Sequence, residues 1–442
     1  MGCGVSMHIE ALMLVTVPAA FVILGAVCII LMTLIVLGGL FAPTVKYTIR
    51  ASQPPENGST EFLRILEALT DAKANRNSTI EVLTNGNEFY PSELKAISAA
   101  QRTINFQAYI FDCGEVGQRY IEAFAERARA GVQVNIVCDA IGSRGVSNDF
   151  FASVIRAGGK VAWYNRPRWY RLAQIDNRGH REVMVVDGSV GFIGGAGVAD
   201  QWYKTRGVHA RWRDTVVKVE GNVVSHLQST FAATWVDASG EILASPEFFP
   251  KNELPENDTE ALVVCSTPSD GGCVRIRMLF LMLLASATKT VRINTPYFLP
   301  DKHMSDAIVR AVKDRGVDFR IILPSKKSDH ILTLTAGRRL YGPMLKAGAR
   351  IYEYKPSMIH AKIMLIDGIW SIVGSTNLDH RSFGINDEVN MAVRGAAVNN
   401  RLQQDFDQDL ANSRELSYDE WRLRSVTERI IEFFGWFFQQ QQ

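Results

Sequence analysis

His360-Ala361-Lys362-Ile363-Met364-Leu365-Ile366-Asp367-Gly368, followed after five more residues by Gly374-Ser375-Thr376-Asn377, decides how this chain is read. Side chains two apart on an extended strand share a face, so His360 and Lys362 project to the same side. Asp367-Gly368 between two apolar runs is a hairpin signal that returns the chain through Ile369 to Val373. Gly374-Ser375-Thr376-Asn377 therefore comes back level with His360. An imidazole, an ammonium and a carboxamide converge on one spot. A phosphodiester needs that set, because its non-bridging oxygens must be held while phosphorus is attacked.

The same frame occurs earlier as His180-Arg181-Glu182-Val183-Met184-Val185-Val186-Asp187-Gly188, then Gly194-Gly195-Ala196-Gly197. Histidine to aspartate is seven residues in both copies (187 − 180 and 367 − 360), and aspartate to glycine is seven in both (194 − 187 and 374 − 367). Ala108-Tyr109-Ile110-Phe111 answers to Thr295-Pro296-Tyr297-Phe298, and Arg129-Ala130-Gly131-Val132 to Asp314-Arg315-Gly316-Val317. Matches at nearly constant spacing indicate an internal duplication, and its period is that of a domain rather than a solenoid unit.

Around these motifs the chain alternates strand-like and helix-like segments. Thr103 to Phe111 is β-prone, Tyr120 to Ala130 has helical spacing, and Val132 to Cys138 is again a strand. Strand, helix, strand predicts a βαβ unit, an α/β class and a mainly parallel sheet. The expected organisation is an anchor over 1–50, two α/β domains over 51–245 and 246–416 related by a pseudo-twofold axis, and an amphipathic tail over 417–442. The boundary is set by Pro246, Pro250 and Pro255. The tail mixes Arg422, Arg424 and Arg429 with Ile430, Ile431, Phe433 and Phe434, a composition that suits an interfacial helix or packing on the domain surface.

From Ala11 to Val45 no residue is charged, a run of 35 positions (45 − 11 + 1). As a helix it would extend about 50 Å against roughly 30 Å of hydrocarbon. One transmembrane span near Pro18 to Leu40 is expected. Lys46 and Arg50 on its trailing side, against Glu10 on the leading side, place the body at the cytoplasmic face of the cell membrane. With a net charge of +2 the chain lacks the basic field of a nucleic-acid binder. Six scattered cysteines without a C-x-x-C pair indicate neither a zinc site nor a disulfide framework.

H-x-K-x4-D-x6-G-[GS]-x-N in duplicate resembles the signature of the phospholipase D superfamily. The flanks Tyr109-Ile110-Phe111, Asp139-Ala140-Ile141-Gly142-Ser143, Trp212-Arg213-Asp214-Thr215, Pro296-Tyr297-Phe298-Leu299-Pro300 and Asn377-Leu378-Asp379-His380-Arg381-Ser382-Phe383 are similar to those of bacterial cardiolipin synthases. One H-x-K-x4-D is a weak signal, whereas two copies at domain spacing with these flanks are a strong one. The resemblance implies two phospholipase D-like domains and a phosphatidyltransferase that makes cardiolipin or a related lipid from phosphatidylglycerol. It also implies a phosphohistidine intermediate, formed by one histidine while the other protonates the departing alcohol, with no metal or other cofactor. The expected partners are a phospholipid membrane and a phosphatidylglycerol-like substrate, not nucleic acid.

The candidate catalytic residues are His180, His360, Lys362, Asp187, Asp367, Asp214 and Glu388. The turn aspartates Asp187 and Asp367 suit a hairpin-shaping role. Glu388 is expected to orient His360, with Asp214 as its counterpart for His180. Lys362, Asn377, Arg178 and Glu182 are the candidate substrate-binding residues. The first copy departs from the pattern: Glu182 stands where the family has lysine, and Gly197 where it has asparagine. A carboxylate there would repel phosphate. Arg178 shares the face of His180 and is the first candidate to offset it, Arg181 should point the other way, and Lys204, Arg206, Arg211 and Arg213 are further candidates. Two other readings remain open: a hydrolase of lipid or nucleic acid on the same scaffold, and a lipid-binding protein with a decayed first half-site.

Overall fold

The computed structural model describes residues 21–34, 49, 55–166, 176–205, 210–252, 254–267, 274–325, 328 and 331–439. Ile49–Trp436 form one compact unit; Met1–Thr48 and Phe437–Gln442 group apart from it. Residues 21–34 are helical and exposed, with apolar side chains such as Phe21, Ile23 and Ile30 facing out. The rest of the expected span at Pro18 to Leu40 lies outside the described residues, and no described helix is long and apolar enough to cross a membrane.

Two sheets fill the compact unit. The first contains β1 (Ser78–Thr84), β2 (Thr103–Ala108), β3 (Gln133–Asp139), β4 (Lys160–Tyr164), β5 (Glu182–Val186), β6 (Val190–Gly194) and β7 (Thr215–Gly221), in the order β1-β7-β6-β5-β2-β3-β4. The second contains β8 (Glu260–Ser266), β9 (Thr290–Asn294), β10 (Asp318–Pro324), β11 (Arg350–Tyr354), β12 (Ile363–Ile366), β13 (Trp370–Gly374), β14 (Glu388–Arg394) and β15 (Ser413–Leu416). Its order, read from β8, is β8-β14-β13-β12-β9-β10-β11, with β15 added at the edge. The two halves thus repeat one topology strand for strand. The expected mainly parallel sheet is corrected to a mixed one. Only β2-β3-β4 and β9-β10-β11 run parallel, because the Asp-Gly turns fold the motif strands into antiparallel hairpins.

Those turns have the backbone the sequence asks for. Asp187 and Gly188 have φ of 52° and 63°, and Asp367 and Gly368 have 54° and 73°, the left-handed pair that a tight two-residue hairpin needs. Along β5, Val183 and Val185 face a core shared with Ile363 and Leu365 of β12, where the two sheets meet. Met184 and Val186 face the first half's own core under helices Gly86–Ala99 and Glu115–Arg129; Met364 and Ile366 face the equivalent core of the second half. Helix Thr60–Thr70 departs from sequence order: Phe62, Leu63 and Leu66 are buried in the second half's core, and Trp370 Nε1 donates to the Asn57 carbonyl at 2.7 Å.

Candidate active site

The chain segment entering each motif strand is held by the opposite half. Gly179 bridges in parallel to Asp387, with the His180 N–H on the Asp387 carbonyl at 3.0 Å and the Asp387 N–H on the Arg178 carbonyl at 2.8 Å. The second half mirrors this: Arg213 bridges to Ile359, with the His360 N–H on the Arg213 carbonyl at 2.7 Å and the Arg213 N–H on the Met358 carbonyl at 2.9 Å.

This exchange sets the carboxylate partners, and it corrects the expected pairing. His180 Nδ1 lies 3.0 and 3.1 Å from the two oxygens of Glu388, and His360 Nδ1 lies 2.7 Å from Asp214 Oδ2. Each imidazole is oriented by the carboxylate of the other half. The same-half pairing is displaced because Glu388 already serves His180 and Ser375, and Asp214 serves His360.

Both carboxylates are buried and fixed. Asp214 accepts from Trp202 Nε1 at 2.9 Å and from the Thr215 N–H at 2.8 Å. Burial alone pushes its carboxyl up, but His360 and Lys362 beside it outweigh this and hold it below the usual carboxylate range. Glu388 accepts from the Ser375 hydroxyl. Lys362 is buried with its ammonium 2.8 and 3.0 Å from the two ring nitrogens of His360 and 3.4 Å from the Gly195 carbonyl of the first half. A Cβ at Gly195 would lie 2.9 Å from Lys362 Nζ, so glycine makes room for the ammonium.

Glu182 does not present an open carboxylate. Its Oε1 accepts from the Tyr109 N–H at 3.0 Å and from the Ile110 N–H at 3.4 Å, and burial pushes its pKa well up despite these bonds and Lys362. Burial thus favours the protonated form, the direction that weakens the expected repulsion. The cation facing it is Lys362. The field of Arg178 falls on Tyr109 and Asp139, and its guanidinium donates to the Asn177 carbonyl at 2.5 Å. Arg181 points the other way, as expected, and donates to Thr234, Ser266 and Thr267. Lys204 is paired with Glu115 and Asp200, and Arg213 with Asp409 and Asp405; Arg206 lies outside the described residues. Gly197 is set chiefly by the Ile110 backbone: a Cβ there would sit 2.5 Å from the Ile110 carbonyl, and 3.2 Å from Glu182 Oε1.

Asp187 and Asp367 do not join the cluster. Each is seven residues along from its histidine, about 23 Å on an extended strand. Asp187 accepts from the Gln101, Arg102 and Thr103 N–H groups, and Asp367 from those of Thr288, Lys289 and Thr290. They latch the starts of β2 and β9. Asn377 is buried, with its N–H on Ser382 Oγ at 3.1 Å and its side-chain oxygen without a partner.

Sequence reading missed the aromatic walls. The Tyr109 ring meets His180 edge-on at 5.0 Å, and Trp202 and Trp212 lie 5.4 and 5.3 Å from His360. Tyr109 and Trp212 stood in quoted flanks, whereas Trp202 stood in no motif. His180, Tyr109, Glu182, Lys362 and His360 form one continuous set of contacts and fields across both halves.

The chain is similar to several known proteins. The family described as "Cardiolipin synthase, PLD-like domain" matches residues 94–235 and 280–410, one motif in each segment. Cardiolipin synthase 1 of Bacillus cereus is 31% identical over 390 residues, 86% of this chain and 76% of its own length. Cardiolipin synthase A of Pseudomonas entomophila is 33% identical over 386 residues, 86% of this chain and 79% of its own. Phosphatidylserine synthase from Haemophilus influenzae, a solved structure, shares the fold with a TM-score of 0.62 at 14% identity, over 86% of this chain and 98% of that one. Fold and relatives together define a phospholipid phosphatidyltransferase of the phospholipase D superfamily. Within that superfamily, the chain belongs to the cardiolipin synthase family.

Proposed function

We propose that this chain moves a phosphatidyl group from phosphatidylglycerol to the hydroxyl of a second phosphatidylglycerol or a related alcohol, at the surface of the membrane that anchors it. The observation that carries the reading is the pair of histidines, each backed by a buried carboxylate from the opposite half, with Lys362 against the ring of His360. Fixing Nδ1 on a carboxylate sets the tautomer in which Nε2 does the chemistry, with the Lys362 ammonium 3.0 Å from that of His360. One Nε2 attacks phosphorus, the bond to the glycerol oxygen breaks, and the other imidazole gives that oxygen its proton. The acceptor hydroxyl then returns a proton to the second imidazole and displaces the first from phosphorus. Lys362 and Asn377 hold the non-bridging oxygens.

The cell membrane location rests on the uncharged run from Ala11 to Val45, and a cytoplasmic body on Lys46 and Arg50. The boundary between the duplicated segments falls near residue 246, between β7 and β8.

The test is rapid quenching with phosphatidylglycerol labelled in its phosphatidyl group. A label on one histidine, stable to base and lost in acid, is the expected result. His180→Ala and His360→Ala should each abolish turnover. Continued turnover with neither histidine labelled would sink the covalent mechanism. Release of phosphatidic acid rather than transfer to the lipid acceptor would replace the transferase with a hydrolase.

A further inference from the structure

The last described helix, Val426–Gln439, carries Val426, Ile430 and Phe433 at spacings of four and three, so they form one stripe. They are 72%, 50% and 42% exposed, and Leu423 just before the helix is 81% exposed. Glu432, on another face, is buried, its carboxylate taking Arg424 Nε at 2.8 and 2.9 Å. Thr427, Glu428 and Arg429 are exposed as well, so the outward surface is amphipathic, with Arg339 5.2 Å over the Phe433 ring at its inner edge. Beside it lies a pocket of about 360 Å³ lined by Arg339, Trp421, Arg422, Arg424, Arg429 and Glu432. Four guanidinium groups meet one carboxylate there. Arg424 is stacked 3.9 Å over the Trp421 ring, which fixes the pocket wall, while Arg422 and Arg429 are exposed at its rim.

We propose that this corner seats the headgroup of an anionic phospholipid in the bilayer surface, apart from the catalytic histidines. The stripe of Leu423, Val426, Ile430 and Phe433 enters the boundary between headgroups and acyl chains. The arginine pocket takes the phosphate, for which guanidinium forks are suited. A soluble anion would satisfy the arginines but leave the apolar stripe in water, so the occupant is a lipid. The inference rests on the reading that the chain works on phospholipid, and it adds a second lipid contact that presents the site to the membrane.

The full chain is reconstituted in nanodiscs of phosphatidylcholine alone or with admixed phosphatidylglycerol, and amide hydrogen exchange is read over residues 418–436. Slower exchange with phosphatidylglycerol is expected, and Arg422→Gln/Arg429→Gln should lose that difference while β5 and β12 stay protected and turnover in detergent persists. Val426→Asp/Ile430→Asp should lose it as well. Equal exchange in both discs, a difference that survives the arginine changes, or equal protection by inorganic phosphate in detergent would each overturn the proposal. Turnover in detergent tests the enzymatic reading separately: if it were absent while the lipid-dependent protection remained, the headgroup seat would stand and the transferase would fall.

Discussion

His180 is hydrogen-bonded through Nδ1 to Glu388, a residue 208 positions further along the chain, at 3.0 and 3.1 Å. The reciprocal pair, His360 with Asp214, is closer still at 2.7 Å. Each motif histidine takes its carboxylate from the opposite half.

This pairing can be read one bond at a time. Asp214→Asn should lower turnover by roughly 10²–10⁴-fold, since an orienting carboxylate fixes the tautomer of its histidine. In proton NMR it should erase the hydrogen-bonded Nδ1–H signal of His360 and leave that of His180. Glu388→Gln should do the opposite. Loss of the same-half signal in either variant would restore the pairing expected from sequence.

Glu182 is tested by its neutral isostere. Burial favours the protonated carboxyl, and a glutamine oxygen can still accept from the Tyr109 and Ile110 N–H groups, so Glu182→Gln should turn over close to wild type. Glu182→Lys brings a second ammonium into the field of Lys362. An unpaired charge in so dry a place costs roughly 3 kcal/mol, about a hundredfold in rate. A fully active Glu182→Lys, as the family pattern alone suggests, would show that the site relaxes to admit it.

Arg181 and Arg178 should separate stability from turnover. The Arg181 guanidinium is buried and spans Thr234, Ser266 and Thr267, so Arg181→Ala strands several acceptors and should cost about 2–4 kcal/mol in denaturant unfolding. Arg178→Ala should change stability by less than about 1 kcal/mol, because the residue is only partly buried. Similar losses for the two would contradict this difference.

Glu93 gives a pH signature. Burial raises its pKa from 4.5 to about 7, although Tyr120 donates a hydrogen bond to it. The folded state therefore binds the proton more tightly than the unfolded chain. Its stabilising contribution is complete below about pH 4.5 and is lost as pH rises through about 7, at most about 3 kcal/mol. Glu93→Gln should flatten the fall in melting temperature over that window. Some slope should persist, because burial also lifts Asp387 to about 6 and acts in the same direction. An unchanged slope would mean that Glu93 ionises freely in the fold.

Much of the site was legible because it is local. The period of two set the face of His360 and Lys362, Asp-Gly set the hairpin, and equal spacings revealed the duplication. The partner of each histidine was not legible, since strand order and the packing of one sheet against the other decide it and neither is written within a motif. The environment of Glu182 was hidden for a related reason: a glutamate in a sequence is read as charged, and only the fold shows the burial that raises its pKa. The parallel content of the sheets was overestimated because the βαβ signal is strong and local, whereas the returning hairpins contribute most of the antiparallel neighbours.

The crosswise exchange at Gly179–Asp387 and Arg213–Ile359 has the form of an isologous contact, in which a patch i meets j and the patch j meets i. Two identical copies of one half, related by a twofold axis, would make the same contacts without any covalent link. The chain is in this sense a dimer written as a single polypeptide. In a true homodimer any substitution appears twice, and a Lys-to-Glu change would strip both half-sites of their ammonium at once. Fusion lifts that constraint, and so one half can hold the buried Glu182 while the other keeps Lys362, giving a symmetric scaffold two unequal faces for the two unequal steps of a transfer.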